Sequence, residues 1–316
     1  MLSYIVRRVL YSVPVLLVAS FVLFVGVRIT FDPAAKLAFS QDPDAISRYK
    51  KSFGLDHPIV IQYIRWIGNF VRGDWGKSSR TSGDVFPMMT RSFGFTLQLI
   101  IWGVLVSAVL AIAVGVYSAV RQYSVTDYLF TGISYVGIAL PPFWFGLVAI
   151  QFFVFTLAEW FNLGSKLFYF VGLHSTGQSG INLDYFRHLL LPVMTLTVQI
   201  IASWSRYERA AMLDVLGSDY VRTARAKGVP QRQVVFKHAF RNALIPLLTV
   251  IAIDAGLLFG GLVVTERIFS IPGMGRLFLD SLQTGDAYVL MAWFVVTAFF
   301  VILFNLMADL LYAVFD

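Results

Sequence analysis

The sequence predicts an all-α integral membrane protein with six transmembrane helices. Three observations carry this. Of 316 residues, 58% are hydrophobic and only 14% are charged, whereas soluble domains average about 25% charged. Mean hydropathy is +0.73. Six runs are long enough to cross a hydrocarbon core, which needs about 20 mostly apolar residues: 9–27, 95–120, 128–157, 189–205, 242–265 and 287–308. The same figures exclude a water-soluble globule, and they exclude disorder, which requires low hydrophobicity.

The first run is uncharged, contains Pro14 and follows Arg7-Arg8. It exceeds the roughly 7–15 residues of a signal-peptide core, and no small-residue cleavage site follows, so it is read as an uncleaved span. The second is the longest, between Arg91 and Arg121. The third lies between Asp127 and Glu159, with Pro141-Pro142 near its middle. Each proline removes a backbone donor, so a kink is expected. That kink is either a packing feature or irregular backbone facing a wet pathway. The fourth is the weakest, short and carrying Pro192 and Gln199. The fifth is interrupted only by Asp254, and the sixth runs uncharged between Asp286 and Asp309. All six are read as helices, because lipid-exposed backbone must satisfy its own hydrogen bonds and a barrel would need alternating segments of about ten residues.

Six spans place both termini on one side. With the N-terminus inside, Arg7, Arg8, Arg121 and eight Lys/Arg of the 205–242 loop are cytoplasmic, and the short outer loops hold Lys166, Arg187, Arg267 and Arg276. That asymmetry follows the positive-inside rule. The basic 28–91 loop exceeds the length over which the rule counts charges. In it, Val60, Tyr63, Ile64, Ile67, Phe70 and Val71 recur at helical spacing. This predicts an amphipathic helix. It is either interfacial, with Trp66 at headgroup level, or packed within a small outer cap.

Nothing in the chain marks it as an enzyme. There are no cysteines, which excludes disulfides, thiolate metal sites and Cys nucleophiles. Gly76-Lys77-Ser78 mimics the end of a phosphate-binding loop, but Val71 stands where that motif needs its first glycine. His57, His174, His188 and His238 are scattered, and no zinc-protease or serine-hydrolase motif occurs. Asp254 is the one acid well inside a span. Such a charge either lines a pathway or makes an interhelical hydrogen bond. Gly256, Gly260 and Gly261 are read as helix-packing positions.

The loop between the fourth and fifth runs is the informative segment. Ser218 or Asp219 suits an N-cap, Arg222 to Lys227 is good helix material, and Gly228 suits a left-handed C′ position. Pro230 suits the first turn of the next helix. Arg222, Arg225, Lys227, Arg232, Lys237 and Arg241 stud this corner. It reads as a lipid-facing loop, a DNA-binding helix pair or a docking knob for a cytoplasmic partner. Flanking spans argue against nucleic acid, and the specified turn favours the knob.

These residues carry a resemblance. Arg222-Thr223-Ala224-x3-Gly228 resembles the Glu-Ala-Ala-x3-Gly motif of ABC importer permeases, with Arg222 in place of Glu and Thr223 in place of the first Ala. Thr223-Ala224-Arg225-Ala226-Lys227-Gly228 followed by Arg241-Asn242-Ala243-Leu244 is similar to the peptide-importer branch. So are Tyr4-Ile5-Val6-Arg7-Arg8, Gly54-Leu55-Asp56-His57-Pro58, Gly73-Asp74-Trp75-Gly76-Lys77-Ser78 and Glu266-x-Ile268-Phe269-x2-Pro272-Gly273-Met274-Gly275. The short N-terminus and long first outer loop look like the B-type subunit of dipeptide and oligopeptide permeases.

The resemblance implies a type I ABC importer permease fold. Its segments would be an N-terminal tail and first helix (1–30), an extracytoplasmic cap (31–94) and a five-helix transmembrane domain (95–313) with a cytoplasmic coupling loop (205–242). It implies a multi-pass protein of the bacterial cytoplasmic membrane, both termini cytoplasmic, surrounded by membrane lipid and binding no nucleic acid. Its partners would be a second homologous permease, two ATPase subunits that bind the ATP and Mg, an extracytoplasmic solute-binding protein and a peptide substrate, with no cofactor or metal bound by this chain. Arg222, Thr223, Ala224, Arg225, Ala226, Lys227, Gly228 and Pro230 would couple to the ATPases within the 218–246 loop. Asp254, Pro141 and Pro142 are the candidate pathway residues. A nickel chelate or glutathione is the alternative cargo. A stand-alone secondary transporter, which would be expected to carry inverted repeats, is the alternative class.

Overall fold

The computed structural model describes residues 2–31, 44, 48, 51, 55–162 and 167–315; Gly54 and Lys166 lie outside them. Among the described residues the α-helices of six residues or more are, in chain order, α1 (Leu2–Thr30), α2 (Ile59–Val71), α3 (Val85–Val120), α4 (Val125–Ala139), α5 (Pro142–Ile150), α6 (Leu183–Leu216), α7 (Asp219–Ala226), α8 (Phe240–Gly261), α9 (Val263–Ile268), α10 (Met274–Thr284) and α11 (Ala287–Phe315). Among the described residues, six stretches are long and apolar enough to cross a membrane: Val6–Thr30, Val85–Val120, Pro142–Trp160, Leu183–Leu216, Gln231–Gly260 and Ala287–Leu311. The chain is a multi-pass membrane protein. It divides into two units, Met1–Thr96 with Pro272–Ile302, and Leu97–Ile271 with Leu303–Asp316.

In the first unit α2 buries Tyr63 and Trp66. Their rings lie 5.5 and 5.4 Å from that of Phe24 on α1, and the Tyr63 hydroxyl shares a 2.7 Å hydrogen bond with Ser20. The amphipathic helix therefore packs against α1, and Trp66 is buried in protein. Beyond α2, the Trp75 ring stacks on Phe70 at 4.4 Å and its indole N–H donates to the Phe70 carbonyl.

Gly76 has φ +84°, and an added Cβ would fall 2.6 Å from the Tyr288 ring. The Ser78 hydroxyl donates to Asp286 Oδ2 at 2.5 Å, while its N–H donates to the Gly83 carbonyl. Gly76-Lys77-Ser78 is thus a tether to the start of α11, and its serine N–H is already committed. Helix α10 was not foreseen. The Met274 N–H at its start donates to Thr96 Oγ1, and its Met274 carbonyl accepts from the Trp293 indole.

In the second unit α6 is the helix against which α4, α5 and α8 pack. It runs 34 residues, well beyond the expected 189–205. The apolar stretch stops near Ser205, but the helix continues through Glu208, which is fully buried with neither carboxylate oxygen hydrogen-bonded, and Arg209, which is paired with Asp127. Helix α3 meets it at Gly115, where an added Cβ would lie 2.7 Å from Glu208 Cβ and 2.8 Å from the Ser205 carbonyl oxygen.

The third expected run is corrected. The chain breaks where a single kinked span over 128–157 was expected. Helix α4 ends at Ala139, α5 starts at Pro142, and the spanning segment is Pro142–Trp160, which passes through a π-helical turn at Gln151–Thr156. Two consecutive prolines remove two successive helical donors. The residue before proline avoids the helical region, and Leu140 accordingly sits at φ −76°, ψ 124°. Gln199 Nε2 on α6 donates to the Leu140 carbonyl at 3.0 Å.

Candidate functional site

Helix α7 begins after Ser218, which has the extended backbone of an N-cap. Its hydroxyl turns back to the Val215 carbonyl at 2.6 Å, so the helix start is not capped by that side chain. At the other end the Gly228 N–H donates to the Arg225 carbonyl (2.9 Å) and the Val229 N–H to the Ala224 carbonyl (3.2 Å), with Gly228 at φ +76°. This pair of bonds is a Schellman motif. It satisfies carbonyls that a helix end leaves orphaned, and its left-handed residue favours glycine. Val229 packs on the buried cluster of Val221, Ala224 and Val234, the apolar contact that accompanies such a turn. Pro230 is the N-cap of the following turn, one position earlier than expected; its carbonyl accepts from Gln233 and Val234.

The corner is consequently rigid and two-faced. Val221 and Ala224 are buried, whereas Arg222, Thr223, Arg225, Ala226, Lys227, Gly228 and Pro230 are exposed. Asn242 Nδ2 donates to the Tyr220 hydroxyl at 2.8 Å, tying α7 to the start of α8. Of the expected coupling residues, Ala224 faces inward and the rest form one exposed, basic surface. The Arg222–Asp219 pair, at 3.7 Å, is solvent-exposed and contributes little.

The pathway candidates do not form one cluster. Asp254 Oδ2 accepts from the Trp204 indole N–H at 2.7 Å, an interhelical bond from α6 to α8. Pro141 is exposed and Pro142 is half-buried at the α4–α5 break.

A pair that the sequence presented only as flanking charges lies at the polar end of α6. Asp127, 2% exposed, accepts from Arg209 Nε at 3.0 Å and Nη2 at 2.9 Å. It also accepts from the Tyr123 N–H at 3.0 Å. The hydrogen-bonded Arg209 guanidinium holds this carboxyl below its ordinary value of 3.8, aided by the Tyr123 N–H and the Ser118 hydroxyl and opposed by burial. The only sequence signal was two charges of opposite sign bordering apolar runs.

Comparison with known proteins accounts for the whole chain. Residues 111–316 match the family described as binding-protein-dependent transport system inner membrane component, and residues 1–111 match its N-terminal companion. The chain is 38% identical to the oligopeptide transport system permease protein AppB of Bacillus subtilis, covering 100% of this chain and 98% of that protein. It is 35% identical to the di/tripeptide transport system permease protein DppB of Pseudomonas aeruginosa, covering 99% and 97%. It is 34% identical to the glutathione transport system permease protein GsiC of Escherichia coli K12, again covering 99% and 97%. With six membrane-length helices, a specified corner on the chain linking α6 to α8, and matches that run end to end, the chain belongs to the binding-protein-dependent transport system inner membrane component family.

Proposed function

We propose that this chain is the permease subunit forming half of the translocation pathway of an ATP-driven importer of di- or oligopeptides. It lies in the bacterial cytoplasmic membrane with both termini inside. A second homologous permease completes the pathway, two ATPase subunits bind and hydrolyse ATP with Mg, and a solute-binding protein delivers peptide from outside. This chain catalyses nothing itself.

The observation that carries the coupling part is the Schellman corner at Gly228. A lipid-facing loop gains nothing from a fixed turn, whereas a knob transmitting the motion of an ATPase needs to be rigid, since coupling between distant sites requires an element with discrete arrangements. Arg222, Thr223, Arg225, Ala226, Lys227, Gly228 and Pro230 supply the contact surface, and Ala224 anchors it from within. Exposed apolar side chains such as Ile133, Phe143 and Trp144 suit burial against lipid and the second permease. Asp254, Pro141 and Pro142 are assigned to the pathway.

Peptide cargo is favoured by the names of the oligopeptide and di/tripeptide relatives. The glutathione relative supports a second reading, a modified tripeptide. The test is reconstitution in proteoliposomes with the co-purifying subunits. ATP-dependent uptake of labelled di- or oligopeptide is expected, with none by this chain alone. Uptake by the isolated chain driven by a proton gradient would overturn the assignment, and uptake of glutathione alone would replace the cargo.

A further inference from the structure

Within the first unit, α2 and the turn after it separate two cavities of opposite character. One, of about 450 Å³, is lined by four cations, Arg28, Lys51, Arg65 and Lys77, against one carboxylate, Asp74. The Arg28 guanidinium lies over the rings of Phe24 (5.3 Å) and Tyr288 (5.6 Å). Its Nε and Nη1 are buried and take no hydrogen-bond partner among the described residues. Trp66, also lining this cavity, is 6% exposed and its indole N–H is buried without an acceptor.

Stacking on aromatic faces offsets part of the cost of burying Arg28. A basic residue at a helix C-terminus is favourable too. Neither effect accounts for three further lining cations or for the orphaned indole donor. Buried donors ordinarily find acceptors, and this site is rich in donors and positive charge. Among the described lining residues, Asp74 is the one anionic acceptor against four cations.

The second cavity, of about 430 Å³, is apolar, with Leu17, Ile67, Phe70, Phe93 and Phe300 among its walls. Its two hydroxyl residues are already bonded, Ser20 to Tyr63 and Thr90 to the Phe86 carbonyl. The two cavities abut along the chain. Trp66 and Asn69 line the first where Ile67 and Phe70 line the second, and Gly76 and Trp75 divide in the same way. They thus lie on different faces of α2 and the turn after it, side by side as the phosphate and acyl chain of one phospholipid are.

We propose that this unit binds one anionic phospholipid, its phosphate held in the basic cavity by Arg28, Lys51, Arg65 and Lys77 and an acyl chain laid in the apolar one. Basic pockets beside membrane helices hold anionic headgroups through the same charge-assisted bonds. Asp74, whose Oδ1 is engaged by the Gly76 N–H, keeps the site from being purely cationic. The apolar cavity is what separates a lipid from a soluble anion as the occupant.

The experiment is native mass spectrometry of the protein released from nanodiscs of phosphatidylcholine containing graded phosphatidylglycerol. One retained phosphatidylglycerol is expected, favoured at least ~10-fold over phosphatidylcholine. Arg28→Gln with Arg65→Gln should lower that preference ~10-fold, and Lys51→Gln, at an exposed rim position that folding does not need, by several-fold. Arg72→Gln, outside the cavity, should leave it unchanged. Equal retention of both lipids would overturn the proposal. Displacement of phosphatidylglycerol by millimolar inorganic phosphate would also overturn it, and would make this a soluble-anion site.

Discussion

Arg209 grips Asp127 with two parallel hydrogen bonds, Nε to Oδ1 at 3.0 Å and Nη2 to Oδ2 at 2.9 Å, fastening the first turn of α4 to α6. Removing one partner leaves the other unmatched, a carboxylate 3% exposed or a guanidinium 28% exposed, at a cost of up to about 3 kcal/mol. Asp127→Asn should therefore lower the melting temperature of the detergent-solubilised protein by several degrees, and Arg209→Lys, which keeps charge but loses the fork, by less. The folded carboxyl titrates below its unfolded value of 3.8. The stabilisation is thus complete above that value and is lost as pH falls through the depressed one. The gap between wild type and Asp127→Asn should hold from pH 7 to about pH 5 and shrink below about pH 4. A gap that instead widened in acid would contradict the pairing.

Gly228 should tolerate only residues at ease in a left-handed turn. An added Cβ meets nothing within 4 Å, so Gly228→Ala costs only backbone strain, about 1–2 kcal/mol. Unfolding of the whole protein should barely change, because the strain can be released by fraying the end of α7. ATP-driven uptake should fall several-fold at normal abundance, and Gly228→Asn should recover most of it. Full uptake by the alanine variant would remove the corner from the mechanism.

Asp254 can be tested for charge against structure. If its charge serves the pathway, Asp254→Asn lowers uptake several-fold, while Trp204→Phe, which removes the 2.7 Å donor together with part of a buried ring, lowers stability but leaves uptake per folded molecule near normal. Equal losses, matched by equal drops in melting temperature, would reduce Asp254 to a helix–helix contact.

Gly115→Ala should be among the most damaging conservative changes. The new methyl would press on the Ser205 carbonyl at 2.8 Å, and backbone gives way less readily than a side chain. Overpacking of this kind costs about 1–3 kcal/mol. Reduced thermal stability without change in helix content by circular dichroism is the expected signature, and an unaltered melting temperature would mean α3 and α6 separate freely there.

The spans were legible because lipid makes hydrophobicity nearly sufficient. The corner at 228 was legible because glycine's freedom to take positive φ and proline's fixed φ are the strongest backbone signals a sequence carries. Other features were hidden for physical reasons. The extension of α6 past Ser205 depends on Arg209 meeting Asp127, 82 residues away, and no local pattern encodes such a meeting. The severity of the break at Pro141-Pro142 depends on Gln199 offering a donor from another helix. Helix α10 did carry a signal, Met274, Leu277, Phe278 and Ser281 at helical spacing, but it was obscured by the motif residues at its start. The role of Gly76-Lys77-Ser78 could be excluded as a phosphate loop from Val71 alone, yet its partner Asp286 could be found only in three dimensions.

The interruption between α4 and α5 has a mechanical meaning. Because Pro141 and Pro142 carry no N–H, the carbonyls of Gly137 and Ile138 lose their helical donors before any bending occurs. Flexing at Leu140 therefore ruptures no helical rung there, and the Gln199 amide can follow the carbonyl it holds. At its far end, α4 is clamped to α6 by Asp127 and Arg209. A rod gripped at one end and jointed at the other is a crank. Displacement arriving along the C-terminal end of α6 would swing α4 about Leu140 without unwinding it.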